Sequence, residues 1–125
     1  MIVGVGVDVV DVGRIASLMR RYGRRFLERI LTSLEIEACI GRHDQAQHIA
    51  GRFAAKEAAL KALSIGMFSG IGFRDVLIEA DGSRPRLVFA GKALEAARAM
   101  QIKSSFVSIS HDGGLAVAVV VLERS

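Results

Sequence analysis

Three short stretches gather the residues able to do chemistry. RFAAKEAALKAL, residues 52–63, reads as a helix with five alanines, yet it carries Arg52, Lys56, Glu57 and Lys61. At about 100° per residue, Glu57 and Lys61 share a ridge flanked by Ala54 and Ala58, small enough to let another group approach the backbone. A plain i,i+4 ion pair, worth about 0.3–0.5 kcal/mol, explains the same residues with no function attached. MIVGVGVDVV, residues 1–10, sets Asp8 within an apolar strand. There an ionised carboxylate is costly unless paired, hydrogen-bonded or metal-bound; the alternative is a carboxylate that caps the following helix beside Asp11. Two carboxylates plus substrate phosphates are a common way to hold Mg²⁺, which keeps several of its waters. Asp8 and Glu57 are therefore a candidate metal pair, with Arg52 and Lys61 left to hold phosphate charge. SISHDGG, residues 108–114, places His111 at the tip of a turn. It is either a turn residue with no task, or a side chain that bonds a phosphate or accepts a proton, with Ser110 and Asp112 as neighbours able to do likewise.

A fourth feature concerns binding. Between residues 12 and 31, Arg14, Arg21, Arg25 and Arg29 fall near one helical face around Leu18, while Ile15, Met19, Tyr22, Phe26 and Ile30 fall on the other. Glu28 is the one acid among them. Such a face is either ordinary solvated surface or a docking site for an acidic partner or nucleic acid.

The elements that must position these groups follow from periodicity and punctuation. Residues 1–10 are apolar on both alternating faces, which predicts a strand covered on two sides. Asp11 suits an N-cap for a helix running to about Leu31, irregular at Gly23. Thr32 to Glu35 has capping-box spacing, opening a second helix that stops near Gly41. A third runs from about Gln45 to Leu63. SIGMFSGIGF, residues 64–73, reads as a mobile loop. Residues 75–80 and 86–90 form a hairpin around DGSRP, residues 92–100 a helix, and 105–110 with 115–122 a second hairpin around His111 to Gly114. The expectation is one α+β domain over residues 1–125, with helices early and an antiparallel sheet late. In the last strand Leu115, Val117, Val119 and Val121 face one way and Ala116, Ala118, Val120 and Leu122 the other. A chain this short leaves one of those faces for another copy of itself.

Composition narrows the partners. The chain has 125 residues, of which 51% are hydrophobic, so it can build one real core. Its longest apolar run, residues 115–122, is far short of the roughly 20 residues of a membrane span. Asp8 and the absence of a basic segment ahead of residues 1–10 argue against a signal peptide. One cysteine, Cys39, fits a reducing, cytoplasmic setting, and with His43, His48 and His111 gives no zinc spacing. A net charge of +4 points to an anionic partner. Aromatics at 6%, with no Trp, weaken any reading based on stacking single-stranded bases.

Four segments in order, GVGVDVVDVGRI at 4–15, FLERILTSLE at 26–35, AGRFAAKEAALKAL at 50–63 and FVSISHDGGLAVAVVVLE at 106–123, span most of the chain. Together they resemble the holo-acyl-carrier-protein synthases, the small class of 4′-phosphopantetheinyl transferases. The resemblance implies helices packed on an antiparallel sheet and a single-module chain assembling as a homotrimer with active sites between subunits. It implies Mg²⁺-dependent transfer of 4′-phosphopantetheine from coenzyme A to a serine of apo acyl carrier protein, giving 3′,5′-ADP, in fatty acid biosynthesis in the cytoplasm. By the same resemblance Asp8 and Glu57 hold the metal, Arg52 and Lys61 contact coenzyme A phosphates, and Ser110 and His111 belong to the nucleotide site. Asp8, Glu57, Lys61 and His111 are the implied catalytic group, and Arg14, Leu18, Arg21 and Arg25 the carrier-protein surface. The implied alanine role is to let nucleotide and a neighbouring subunit come close. Two positions depart from the family pattern: Asp11, where Glu is common, and Ser83, where Gly is common. The competing reading is a basic binding module for nucleic acid or an acidic regulatory protein; the transferase reading expects neither nucleic acid nor membrane as a partner.

Overall fold

The computed structural model describes residues 1–64, 71–81 and 84–125. Most of the predicted 64–73 loop, the centre of the DGSRP turn and Ser83 lie outside the described residues. The chain runs β1 (Ile2–Asp11), α1 (Val12–Tyr22), α2 (Arg24–Ile30), α3 (Ser33–Cys39) and α4 (Gln45–Ala62), then a 3₁₀ turn (Phe73–Asp75), β2 (Val76–Asp81), β3 (Arg84–Phe89), α5 (Gly91–Ala99), β4 (Ser104–Asp112) and β5 (Leu115–Glu123). Among the described residues, no helix is long and apolar enough to cross a membrane.

Local chemistry sets the boundaries. Asp11 Oδ1 accepts from the amides of Gly13 and Arg14 at 2.8 and 3.3 Å, satisfying orphan donors of α1. The capping box at α3 forms in both directions between Thr32 and Glu35. The single helix expected from Asp11 to Leu31 is instead two. Gly23, at φ +60° and ψ −138°, ends α1 and starts α2, a conformation that favours glycine. Pro85, read as a turn residue, lies within β3 opposite Ala80. The turn in the last hairpin is also tighter than expected. His111 belongs to β4 opposite Ala116, and Gly113 and Gly114, at φ +56° and +80°, make the turn.

β1, β5 and β4 form one antiparallel sheet in the order β1-β5-β4, joining the two ends of the chain, and β2 and β3 form a separate two-stranded sheet. α4 packs across all three strands of the larger sheet. The register puts Gly4, Gly6, Asp8 and Val10 beside Leu122, Val120, Ala118 and Ala116. A Cβ at Gly6 would overlap the Ala58 carbonyl, and one at Gly4 the Ala62 carbonyl. Helix and strand therefore touch backbone to backbone. Ala54, Ala55, Ala58, Ala59 and Ala62 are all buried at this contact and in the core beneath it. This corrects the expectation that the alanines admit a nucleotide and a neighbouring subunit: they admit the chain's own sheet.

The sheet's other face has no cover among the described residues. Val5, Val7, Val9 and Phe106 are 56, 49, 54 and 56% exposed, with Val119 and Leu115 beside them. β1 is thus covered on one side where its sequence predicts two. Inside the core lies one ion pair, Lys56 Nζ to Glu35 Oε1 at 2.7 Å. Burial pulls the Lys56 ammonium below the ordinary lysine range, against the pull of Glu35. Removing one partner of such a pair typically costs about 3–5 kcal/mol.

The helix–strand contact predicts a steep glycine requirement. Gly6→Ala should lose about 3 kcal/mol or more, the upper end of overpacking costs, because a backbone carbonyl cannot swing aside. Gly72→Ala, with no described atom within 4 Å of its Cβ position and an extended backbone, is the control and should stay near wild type. Urea unfolding of both variants checks this; equal stability would mean that α4 does not rest on β1.

Candidate active site

β1 and α4 bring Asp8 and Glu57 together. Both line a cavity of about 260 Å³ with Asp11, Arg14, Ile15, Leu18 and Phe53. Asp11 is the helix cap, which removes the capping explanation for Asp8. Asp8 instead accepts from Lys61 Nζ at 2.9 Å, and the same ammonium donates to the Val7 carbonyl at 3.1 Å. The i,i+4 pair between Glu57 and Lys61 does not form, because β1 lies close enough for Lys61 to reach across to Asp8. Glu57 has neither a hydrogen bond nor an ion pair among the described residues. Burial pushes its carboxyl above the ordinary glutamate range; the charge of Asp8 adds to the rise and Lys61 opposes it.

His111 and Arg52 are elsewhere. They line a cleft of about 320 Å³ with Arg42, His48, Gly51, Ile78 and Arg84, among others, sharing no residue with the acidic cavity. His111 sits on the helix-covered face of the sheet, its Nε2 3.0 Å from the Gln47 carbonyl. It fits because Gly51 has no side chain, a Cβ there falling 3.0 Å from the same nitrogen. Arg52 Nε is buried without a hydrogen-bond partner among the described residues. Ser110 alternates to the opposite, exposed face, opposite Val117, so it does not line this cleft.

The basic helical face also resolves in space. Leu18 lines both the acidic cavity and a larger groove of about 750 Å³, shared with Tyr22, Arg25, Phe26, Glu28 and Arg29. Leu18 and Phe26 are partly buried against the core, and Tyr22 is 49% exposed, so the sequence-based division into an apolar and a basic side is corrected here. The break at Gly23 redirects the chain, which opens Tyr22 outward. Arg14 adjoins Asp8 and Glu57, while the Arg21 guanidinium lies 5.4 Å from the Tyr22 ring centroid.

Sequence reasoning missed Arg42, His48 and Arg84 in the basic cleft and Tyr22 and Phe26 in the groove. The i,i+4 spacing of His48 and Arg52 is a signal that places both on one ridge of α4. Arg42 and Arg84 arrive from a loop and from β3, which no local pattern connects. Among the described residues no cluster of three or more His, Cys, Asp or Glu forms a ready metal cage.

Comparison with known proteins gives these features a context. A family profile described as the 4′-phosphopantetheinyl transferase superfamily matches residues 4–120. A holo-[acyl-carrier-protein] synthase of Geobacter sulfurreducens is 46% identical over 125 residues, covering 99% of each chain. Among solved structures, Helicobacter pylori holo-[acyl-carrier-protein] synthase in complex with coenzyme A superposes with a TM-score of 0.83 at 37% identity, covering 95% of this chain and 99% of that one. The Bacillus anthracis holo-(acyl-carrier-protein) synthase in complex with CoA (3′,5′-ADP) gives 0.82 at 35%, covering 100% and 99%.

The carboxylate geometry yields opposed titration shifts. Asp8→Asn removes a neighbouring negative charge and should lower the Glu57 midpoint; Lys61→Met removes a positive one and should raise it. Carboxyl ¹³C NMR titration reads both. Movement in the same direction would show that Asp8 and Lys61 do not act on Glu57 through their charges.

Proposed function

The chain belongs to the 4′-phosphopantetheinyl transferase superfamily, and from that premise we infer that it works as a holo-[acyl-carrier-protein] synthase. It transfers the 4′-phosphopantetheine group of coenzyme A to a serine of apo acyl carrier protein. The serine oxygen bonds to the phosphorus that bears pantetheine, the bond from that phosphorus to the rest of the pyrophosphate breaks, 3′,5′-ADP leaves with the bridging oxygen, and the serine proton is released to solvent. The observation that carries this reading is the convergence of Asp8 and Glu57 on one cavity that shares Leu18 with the basic helical groove.

The residues present fit Mg²⁺. Two carboxylates face one cavity, and Glu57 has no protein partner to satisfy it among the described residues, which suits an ion that is completed by waters and substrate phosphates. Asp8 and Glu57 would hold it, and when bound it supplies charge neutralisation for the pyrophosphate. Lys61, already at the mouth of the cavity, adds positive charge for a phosphate oxygen. Arg52 and His111, with Arg42, His48 and Arg84, form an anion-binding cleft suited to the remaining nucleotide phosphate. The unpartnered Arg52 Nε supports that assignment, since a buried guanidinium donor is costly to leave unpaired. Ser110, on the exposed sheet face, serves the nucleotide site of a neighbouring copy in this reading. Most of the rate comes from holding serine, phosphorus and counter-charges in place.

The carrier protein docks on α1 and α2. Arg14, Arg21 and Arg25 present positive charge around Leu18, and the groove shares Leu18 with the cavity of Asp8 and Glu57, where the serine must arrive. Acidic partners are steered to such a face. The assembly is a homotrimer of single-domain chains. The uncovered valine face of the sheet supports it, as does the division of acidic cavity and basic cleft within one chain, which lets a copy's acidic half meet a neighbour's basic half. The setting is the cytoplasm, where fatty acid synthesis uses the holo carrier protein. The binding-module alternative gains no support from the fold or the relatives.

Intact-mass analysis of an apo acyl carrier protein incubated with this chain, coenzyme A and Mg²⁺ tests the reading. The carrier protein should gain the mass of one phosphopantetheinyl group. Asp8→Ala and Glu57→Ala should each slow that gain by at least about 10²-fold, the scale of losing one preorganised electrostatic stabiliser. An unmodified carrier protein would reject the transferase reading; near-normal rates in both variants at saturating Mg²⁺ would reject the metal assignment.

A further inference from the structure

Lys56 is the next residue to Glu57, yet its side chain has no exposed surface and meets neither cavity. Its ammonium donates to Glu35 Oε1 at 2.7 Å and to the Phe73 carbonyl at 2.9 Å. Three further bonds fix the place of Glu35: Oε1 accepts from the Thr32 amide at 2.9 Å, Oε2 accepts from the Ile78 amide at 2.9 Å, and its own amide donates to Thr32 Oγ1. One charged pair therefore ties together α3, α4, the 3₁₀ turn and β2.

Among the described residues the β2–β3 hairpin has no backbone ladder to the larger sheet, so side-chain contacts and ties such as this one contribute to its placement. That placement matters at both cavities. Ile78, Glu79, Ala80, Arg84 and Pro85 are the hairpin's wall of the basic cleft. Phe73, held through its carbonyl by Lys56, packs against Phe53 with the rings tilted by 32° and their centroids 5.2 Å apart, and Phe53 lines the acidic cavity beside Glu57. An apolar pair of the same volume would fill the space but leave the Thr32 and Ile78 amides and the Phe73 carbonyl without these partners.

We propose that Glu35 and Lys56 are positioning residues of the transferase, holding the hairpin wall of the nucleotide cleft and the Phe53 wall of the acidic cavity against α4. The proposal rests on the transferase reading above and goes beyond it, since neither residue touches a substrate. Glu35→Gln probes it with little change of shape: one of the two acceptor oxygens becomes a donor, so the side chain can no longer accept from Ile78 on one side and from Thr32 and Lys56 on the other.

The readout is binding of 3′,5′-ADP by calorimetry, alongside KM for each substrate. Glu35→Gln should weaken 3′,5′-ADP binding by about tenfold, the lower end of what losing an orienting partner behind a binding site costs. KM for coenzyme A should rise with it, while KM for the carrier protein, which docks on α1 and α2, stays at the wild-type value. A variant that is less stable but binds 3′,5′-ADP as tightly as wild type would show the pair to be structural only, overturning this inference alone. Failure of the wild-type protein to bind 3′,5′-ADP would overturn the transferase reading and this inference with it. Should Glu35→Gln not fold, amide exchange on the wild-type protein decides. Adding 3′,5′-ADP should slow the Thr32 amide together with that of Ile78, because Glu35 joins them; an unchanged Thr32 amide, remote from the cleft, would overturn the coupling.

Discussion

The meeting of Asp8 with Glu57 depends on α4 lying against β1 at backbone distance. Glycines at positions 4 and 6 remove the side chains that would hold the helix off, and alanines at 58 and 62 present carbonyls in their place. Close approach brings Lys61 within reach of Asp8 and of the Val7 carbonyl, and sets Glu57 over the same cavity one turn earlier. The same economy recurs at Gly51, where a missing side chain makes room for the His111 ring. A helix packed at ordinary side-chain distance would carry the same charges and assemble neither arrangement.

The charges on α4 sort by depth. Lys56 points inward and is neutralised by Glu35. Glu57 lies at partial depth, where burial, with the charge of Asp8, holds its carboxyl above the ordinary glutamate range. Lys61 is on the rim, and Arg52 turns toward the basic cleft. One helix thus supplies a buried cation, a half-buried carboxylate, a cation on Asp8 and another in the basic cleft, with small residues where the sheet comes near.

Much of this was legible in the sequence because the signals were local. Asp11 and Thr32 announced helix starts through side-chain spacing alone, and both caps form. The pairing of Asp8 with Glu57 was legible from two unusual carboxylates and from four segments in family order. Other features depended on distant partners. Nothing local says that Lys56 meets Glu35, since that contact needs α3 folded back onto α4. His111 looked like a turn residue because HDGG is turn-forming, but two glycines suffice for the reversal and β4 extends to Asp112. That extension also sends Ser110 to the other face. The apolar pattern of β1 and β5 predicts cover on two sides; among the described residues the chain covers one, and a neighbouring copy on the other belongs to the proposed assembly.

In the proposed assembly one working site takes its acidic half from one copy of the chain and its basic half from a neighbour. Co-assembly of two inactive variants tests this most directly. Asp8→Ala spoils only the acidic half, and Arg52→Ala with His111→Ala spoils only the basic half. Mixed assemblies formed from both should regain phosphopantetheine transfer, at a fraction of wild-type turnover, because some sites combine two intact halves. Mixed assemblies that stay as inactive as either parent would place both halves of each site within a single chain.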